Sequence, residues 1–215
     1  MKIGVFDSGV GGLSVANAIK KALPDADVMY REDREHVPYG TRPIAEIYGF
    51  VVPIFQQLVD DGCQVIVVAC NTVSTNLIEQ LRAKFDVPLV AMEPMVKPAA
   101  ARTKTGIICV CATPATLASE RYKFLKDSYA AGVKVLEPDC SDWASMIEAK
   151  QIDVNKIASR INEVLEQNAD VIVLGCTHYH WIEQEIKTIA AGRAEVLQPE
   201  VPVIAQLKRV LKLQP

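Results

Sequence analysis

Apolar positions along the chain fall into two alternating kinds of run. Residues 3–6, 27–30, 65–69, 89–91, 106–110, 134–136 and 171–174 are short runs rich in β-branched and other hydrophobic side chains and predict seven short strands. Between them, residues 13–23, 44–61, 75–85, 116–129, 143–150 and 155–168 space their apolar residues at helical intervals. Strands that are hydrophobic at every position suit a sheet buried on both faces, so the alternation predicts an α/β fold with mostly parallel sheets flanked by helices.

The pattern also repeats. Residues 65–72 match residues 171–178, with Cys70 and Cys176 in register at an offset of 176 − 70 = 106. Residues 3–8 match residues 108–113 at 108 − 3 = 105, each a strand that ends in a small hydroxyl residue, Ser8 or Thr113, ahead of a helix. Two homologous, pseudo-symmetric α/β halves explain both matches. The expected boundary lies at 91–104, where Pro94, Pro98 and an alanine-rich stretch interrupt the pattern. The expected domains are 1–94, completed by a C-terminal helix at about 207–215, and 95–206, with a site in the cleft between them.

Ligands of open α/β sheets bind beyond the carboxyl ends of the strands, which singles out Asp7-Ser8, Cys70-Asn71-Thr72, Thr113 to Thr116 and Cys176-Thr177-His178. Two thiols approaching one ligand from opposite halves have a specific chemical use. Inverting a stereocentre by proton transfer requires a base on one face and an acid on the other, and a thiolate and thiol exchange these roles at each turnover. His178 is a candidate proton partner for Cys176, and Asp7 for Cys70. Cys63, Cys109 and Cys111 read as core residues, since cysteine is among the most buried types. The glycines at 9, 11 and 12 suggest a loop whose N–H groups hold an anion, phosphate or carboxylate, although the strict dinucleotide spacing is absent.

Composition narrows the partners. The chain has 215 residues, half of them apolar, with 23 basic against 26 acidic side chains and a net charge of −3, which describes a globular protein and excludes disordered and fibrous classes. Nothing in it forms a basic stripe, so nucleic acid is not expected as a partner. The apolar run at 65–69 is far short of the roughly 20 residues of a membrane helix. Asp7 interrupts the N-terminal apolar run too early for a signal-peptide core, so the expected compartment is the cytoplasm, with the six cysteines reduced.

Taken together, these motifs resemble the glutamate racemases of the aspartate/glutamate racemase superfamily, cofactor-independent amino-acid racemases of bacterial cell-wall synthesis. The resemblance spans almost the whole chain and rests on residues 4–13, Asp33 with Val37-Pro38-Tyr39-Gly40-Thr41, residues 68–72, Thr113-Pro114-Ala115-Thr116 and residues 174–179. It implies that Cys70 exchanges the α-proton on the D face and Cys176 on the L face, assisted by Asp7 and His178. It further implies substrate contacts from Asp7, Ser8, Asp33, Pro38, Tyr39, Gly40, Asn71, Thr72, Thr113, Thr116, Thr177 and His178. Glu148, eight residues beyond Cys140, fits the spacing of an assisting carboxylate, although Ser141 stands where the family has proline. No pyridoxal phosphate or metal is implied; a homodimer is. Competing readings are an aspartate or other small-acid racemase, a non-catalytic protein that binds an acidic amino acid, and thiol redox chemistry, which the absence of a Cys-x-x-Cys pair disfavours.

Overall fold

In the computed structural model, which describes residues 1–213, the chain forms two four-stranded, wholly parallel sheets. The first contains β1 (Lys2–Asp7), β2 (Asp27–Glu32), β3 (Val65–Val68) and β4 (Leu89–Ala91) in the order β2-β1-β3-β4. The second contains β5 (Ile107–Ala112), β6 (Lys134–Leu136), β7 (Val171–Gly175) and β8 (Glu195–Leu197) in the order β6-β5-β7-β8. The two orders coincide when β1–β4 are matched with β5–β8, so the repeat seen in the sequence is a repeat of topology. The inner strands β3 and β7 are buried at every position, whereas the edge strand β2 is not, as expected when helices cover both faces of a sheet.

The helices are α1 (Leu13–Ala22), α2 (Ile44–Asp60), α3 (Asn71–Lys84), α4 (Val96–Arg102), α5 (Pro114–Leu117), α6 (Glu120–Tyr129), α7 (Trp143–Glu148), α8 (Val154–Glu166), α9 (Glu183–Ala190) and α10 (Glu200–Val210). On one face of the first sheet, Phe6, Ile66 and Val68 pack against Val51 and Phe55 of α2 and Leu77 and Leu81 of α3. On the other, Ile3, Val5, Val65 and Val67 meet Val15 and Ile19 of α1 and Val203 and Leu207 of α10. The second sheet is covered likewise, by α7, α8 and α9 on one face and by α4 and α6 on the other.

Several elements differ from the expected ones. The single helix expected at 116–129 is two, because the Ser119 hydroxyl accepts from the Tyr122 N–H and starts a new helix at Glu120. Helix α3 begins at Asn71 rather than 75, directly after Cys70. The stretch at 91–104 holds α4, and the C-terminal helix begins at Glu200 rather than 207; Gln214 and Pro215, at the end of the expected helix, lie outside the described residues. Both α4 and α10 carry proline, Pro98 and Pro202, at their third position, where the missing N–H costs no intrahelical bond. Neither β8 nor α9 was anticipated, since three and eight residues hold too little periodicity to stand out.

Among the described residues no helix is long and apolar enough to cross a membrane. Helix α10 follows the second half in the chain yet completes the core of the first. Leu207 is fully buried there, and Leu207→Ala should lower unfolding stability by about 2–5 kcal/mol in a denaturant titration, the cost of a buried cavity. A loss well under 1 kcal/mol would show that α10 contributes little to that core.

Candidate active site

The residues that follow the four inner strands, Ser8, Cys70, Thr113 and Cys176, line one common cavity, so the carboxyl ends of both sheets face it. This small cavity lies between these ends. From the first half come Ser8 after β1, the loop Pro38-Tyr39-Gly40, and Cys70, Asn71 and Thr72 at the start of α3. Thr113 after β5, Ala144 of α7, and Cys176, Thr177 and His178 after β7 line it from the second. Asp7, Asp33, Thr116 and Glu148 stand behind this lining, each hydrogen-bonded to a residue of it or to the glycine loop.

The glycine-rich loop is the tightest part of the site. Asp7 is fully buried, and its Oδ2 accepts the N–H groups of Gly9 (3.2 Å) and Gly12 (2.9 Å) while its Oδ1 accepts the Thr177 hydroxyl of the other half (3.0 Å). The Val10 N–H donates to Glu148 Oε1 at 3.0 Å. Of the two anions that the glycines suggested, phosphate or carboxylate, these donors hold carboxylates, and both belong to the protein itself. Burial raises the Asp7 carboxyl above its ordinary value, against the opposing pull of the His178 charge and its three donors. Glycine is required at residue 11, where a Cβ would lie 2.6 Å from the backbone nitrogen of His178; one on residue 9 would displace the Glu148 carboxylate, whose Oε1 would lie 2.0 Å away.

The two thiols have different surroundings. Cys70 is buried with its Sγ 3.6 Å from Ser8 Oγ, and burial, reinforced by the Asp7 carboxylate, pushes the thiol up to about 12. Asp7 therefore bears on Cys70 through its charge; its hydrogen bonds go elsewhere. Cys176 is equally buried, and its Sγ lies 3.6 Å from His178 Nδ1, whose Nε2 lies 2.6 Å from Glu148 Oε1. Burial works against a charged His178, but the hydrogen bonds to Cys176 and Glu148, with the charge of Asp7, outweigh it and hold the imidazolium well above its ordinary value. For Glu148 burial is again overcome, by His178 and the Val10 N–H, and its carboxyl sits below the ordinary range.

Around the thiols the lining is rich in hydroxyl and amide groups. Both Asn71 Oδ1 and Nδ2 are buried without a hydrogen-bond partner in the protein, which leaves one acceptor and one donor for water or a ligand. Thr72 of the first half meets Thr113 (3.0 Å) and Thr116 (3.4 Å) of the second through hydroxyl groups. The Tyr39 hydroxyl donates to Asp33 at 2.6 Å, and Asp33 also holds His36 at 2.9 Å, so Asp33 braces the loop that lines the cavity. Gly40 lies against Thr113, where a Cβ would approach that side chain to 2.6 Å.

Three contributors were not anticipated. Ala144 lines the cavity, Asn76 Nδ2 bridges the Thr72 carbonyl (2.9 Å) to the Ala115 carbonyl across the cleft (3.1 Å), and the Tyr30 hydroxyl donates to the Gly9 carbonyl. A helical asparagine one turn beyond Thr72 was the only available hint of Asn76. Among the described residues no group of three or more His, Cys, Asp or Glu side chains could hold a metal ion, and all six cysteines are free and buried.

Comparison with known proteins agrees with this geometry. Residues 3–208 match the family model described as Asp/Glu/Hydantoin racemase, and the chain belongs to that family. Within it, the chain is 39% identical over 213 residues to a glutamate racemase of Herpetosiphon aurantiacus, an alignment covering 97% of this chain and 84% of that protein. The structure superposes on Escherichia coli glutamate racemase in complex with L-glutamate and the activator UDP-MurNAc-Ala with a TM-score of 0.91 at 30% identity, covering 98% of this chain and 82% of that one. Superposition on glutamate racemase of Francisella tularensis in complex with D-glutamate gives 0.81 at 28% identity, covering 98% and 81%.

The His178–Glu148 pair generates a pH prediction. His178 titrates above its ordinary 6.5 when folded, so the stability its charge contributes is complete below about 6.5 and is lost as pH rises through the folded value. Glu148 titrates below its ordinary 4.5, so its share is complete above about 4.5 and is lost as pH falls through the folded value. Melting temperatures of the native protein and His178→Gln, measured between about pH 4 and 9, should differ most between these ordinary values and converge toward alkaline pH. A gap of constant size would show that the imidazolium is not the stabilising species.

Proposed function

We propose that this cavity binds glutamate and interconverts its L and D forms by moving the α-proton between Cys70 and Cys176, supplying D-glutamate for peptidoglycan. The observation that carries the reading is the placement of one buried thiol from each half on a single cavity whose Asn71 amide lacks partners. In the L-to-D direction the Cys176 thiolate takes the α-proton from one face, the Cα electron pair delocalises into the carboxylate, and the Cys70 thiol returns a proton to the opposite face. This leaves the sulfurs in the state that the D-to-L direction requires, and proton exchange with solvent restores the Cys176 thiolate before another L-to-D turnover. The assignment of faces follows the family resemblance.

The surroundings suit these roles. Cys70, pushed up by burial and the Asp7 carboxylate, rests protonated as the acid, while the His178 imidazolium beside Cys176 supplies the counter-charge for a thiolate. Glu148 fixes the imidazole ring through Nε2, which directs Nδ1 to the sulfur. Hydroxyls of Ser8, Thr72 and Thr113 and the Asn71 amide supply donors for the substrate carboxylate as negative charge develops on it. Asp7, Asp33 and Thr116 act from behind the lining, where they hold the loops that form it. The reading includes a cytoplasmic enzyme, supported by six free buried thiols that suit a reducing compartment, and a homodimer, supported by the family resemblance.

The purified protein, incubated with L- or D-glutamate in D2O without added cofactor, should incorporate α-deuterium and lose optical rotation. Cys70→Ala and Cys176→Ala should each lower racemisation by at least about 100-fold, the ordinary cost of losing a general acid or base. Exchange of aspartate but not glutamate would move the substrate to another small acid, and exchange of neither would favour a binding protein.

A further inference from the structure

Tyr30, at a position no motif covers, joins the glycine loop to the second thiol through one peptide group. Its hydroxyl donates to the Gly9 carbonyl, and the N–H of that same peptide, belonging to Val10, donates to Glu148 Oε1 at 3.0 Å. The peptide is trans, so its C=O and N–H point in opposite directions, and a donor on one side polarises the N–H on the other. Glu148 Oε1 is also the atom 2.6 Å from His178 Nε2, and His178 Nδ1 faces Cys176. A line of contacts thus runs from β2 of the first half, through the Gly9–Val10 peptide, to Glu148, His178 and the Cys176 sulfur of the second.

We infer that Tyr30 is a positioning residue for the proposed reaction, setting the hydrogen bond from the Gly9–Val10 peptide to Glu148 and thereby the state of the His178–Cys176 pair. The inference rests on the racemase reading for its kinetic consequence, though not for the geometry. Two features make Tyr30 suited to the task. Burial, with the Asp7 and Glu32 carboxylates nearby, raises the phenol, so it remains a donor throughout the range in which the other groups titrate. The Glu32 carboxylate is 3.4 Å away, beyond the ordinary O–H···O distance, so the single hydroxyl proton stays on the Gly9 carbonyl. Hydrogen bonds to Cys176 and Glu148 and the charge of Asp7 bear on His178, and Arg34 bears on Glu148; Tyr30 lies near Asp7 and Glu148 as well, and as a neutral phenol it donates its hydrogen bond to the Gly9–Val10 peptide.

Tyr30→Phe removes one oxygen and keeps the ring that packs beside Gly12, so the fold is retained. In this variant the Val10 amide proton should move upfield in the NMR spectrum as its hydrogen bond weakens. The kcat should fall about five- to ten-fold with KM little changed, the size expected for one hydrogen bond. In a Glu148→Gln background the same substitution should cost less than about two-fold, because its effect passes through the carboxylate. An unmoved Val10 resonance, an equal loss in both backgrounds, or a change confined to KM would overturn the inference. If Val10 shifts but the native protein racemises nothing, the peptide contact stands and the racemase reading is what fails.

Discussion

The Asp7 carboxylate is the point on which both halves are registered. A buried carboxylate is costly unless its lone pairs are occupied, and the first half supplies only the Gly9 and Gly12 N–H groups, both to Oδ2. Oδ1 finds its donor in Thr177, from the other half. That bond ties the loop after β1 to the loop after β7. Gly11 then lies so close to the Thr177–His178 backbone that no side chain fits between them. The cavity exists because two loops that must touch at Asp7 diverge on either side of it.

The exchange is reciprocal. Thr177 of the second half satisfies Asp7, whose charge bears on Cys70, while Val10 of the first half satisfies Glu148, which holds the partner of Cys176. Each thiol is therefore conditioned by a group donated across the cleft. The halves repeat in topology without repeating in electrostatics: Cys70 faces a hydroxyl and a carboxylate, and Cys176 faces an imidazolium. Such asymmetry is compatible with racemisation, because two enantiomers have equal free energy in water and the equilibrium constant is one whatever the enzyme does. In the proposed reaction, a difference between the two thiols alters where protons rest between turnovers.

Much of this architecture was legible from the sequence for a physical reason. Strands buried on both faces must be hydrophobic throughout, so β1, β3, β5 and β7 declare themselves, and the 106-residue offset from Cys70 to Cys176 reveals the duplication. The same offset contained β8, since 195 − 89 = 106 carries the start of β4 onto Glu195, although three residues alone had no visible pattern. The strand-end rule singled out residues that do gather around one cavity, but it has no means of separating those that line it, such as Ser8 and Asn71, from those one layer behind, such as Asp7 and Thr116. That distinction depends on how the loops fold back. Tyr30 and Asn76 were illegible for the same reason, since each acts through backbone groups that any sequence would provide.

The chemistry of the lining also bears on how one cavity would accept both enantiomers in the proposed reaction. A fixed ion pair to the substrate favours whichever enantiomer places its group in the single correct position. Hydroxyls of Ser8, Thr72 and Thr113 rotate between donating and accepting, and the Asn71 amide offers one group of each kind. After inversion the carboxylate and ammonium keep their places while hydrogen crosses the plane of Cα, so adaptable neutral partners lose little on going from one hand to the other. Rigidity is then required only of the two sulfurs, which must stay on opposite faces. Asp7, held by Thr177, and Glu148, held by Val10, supply it from behind the lining.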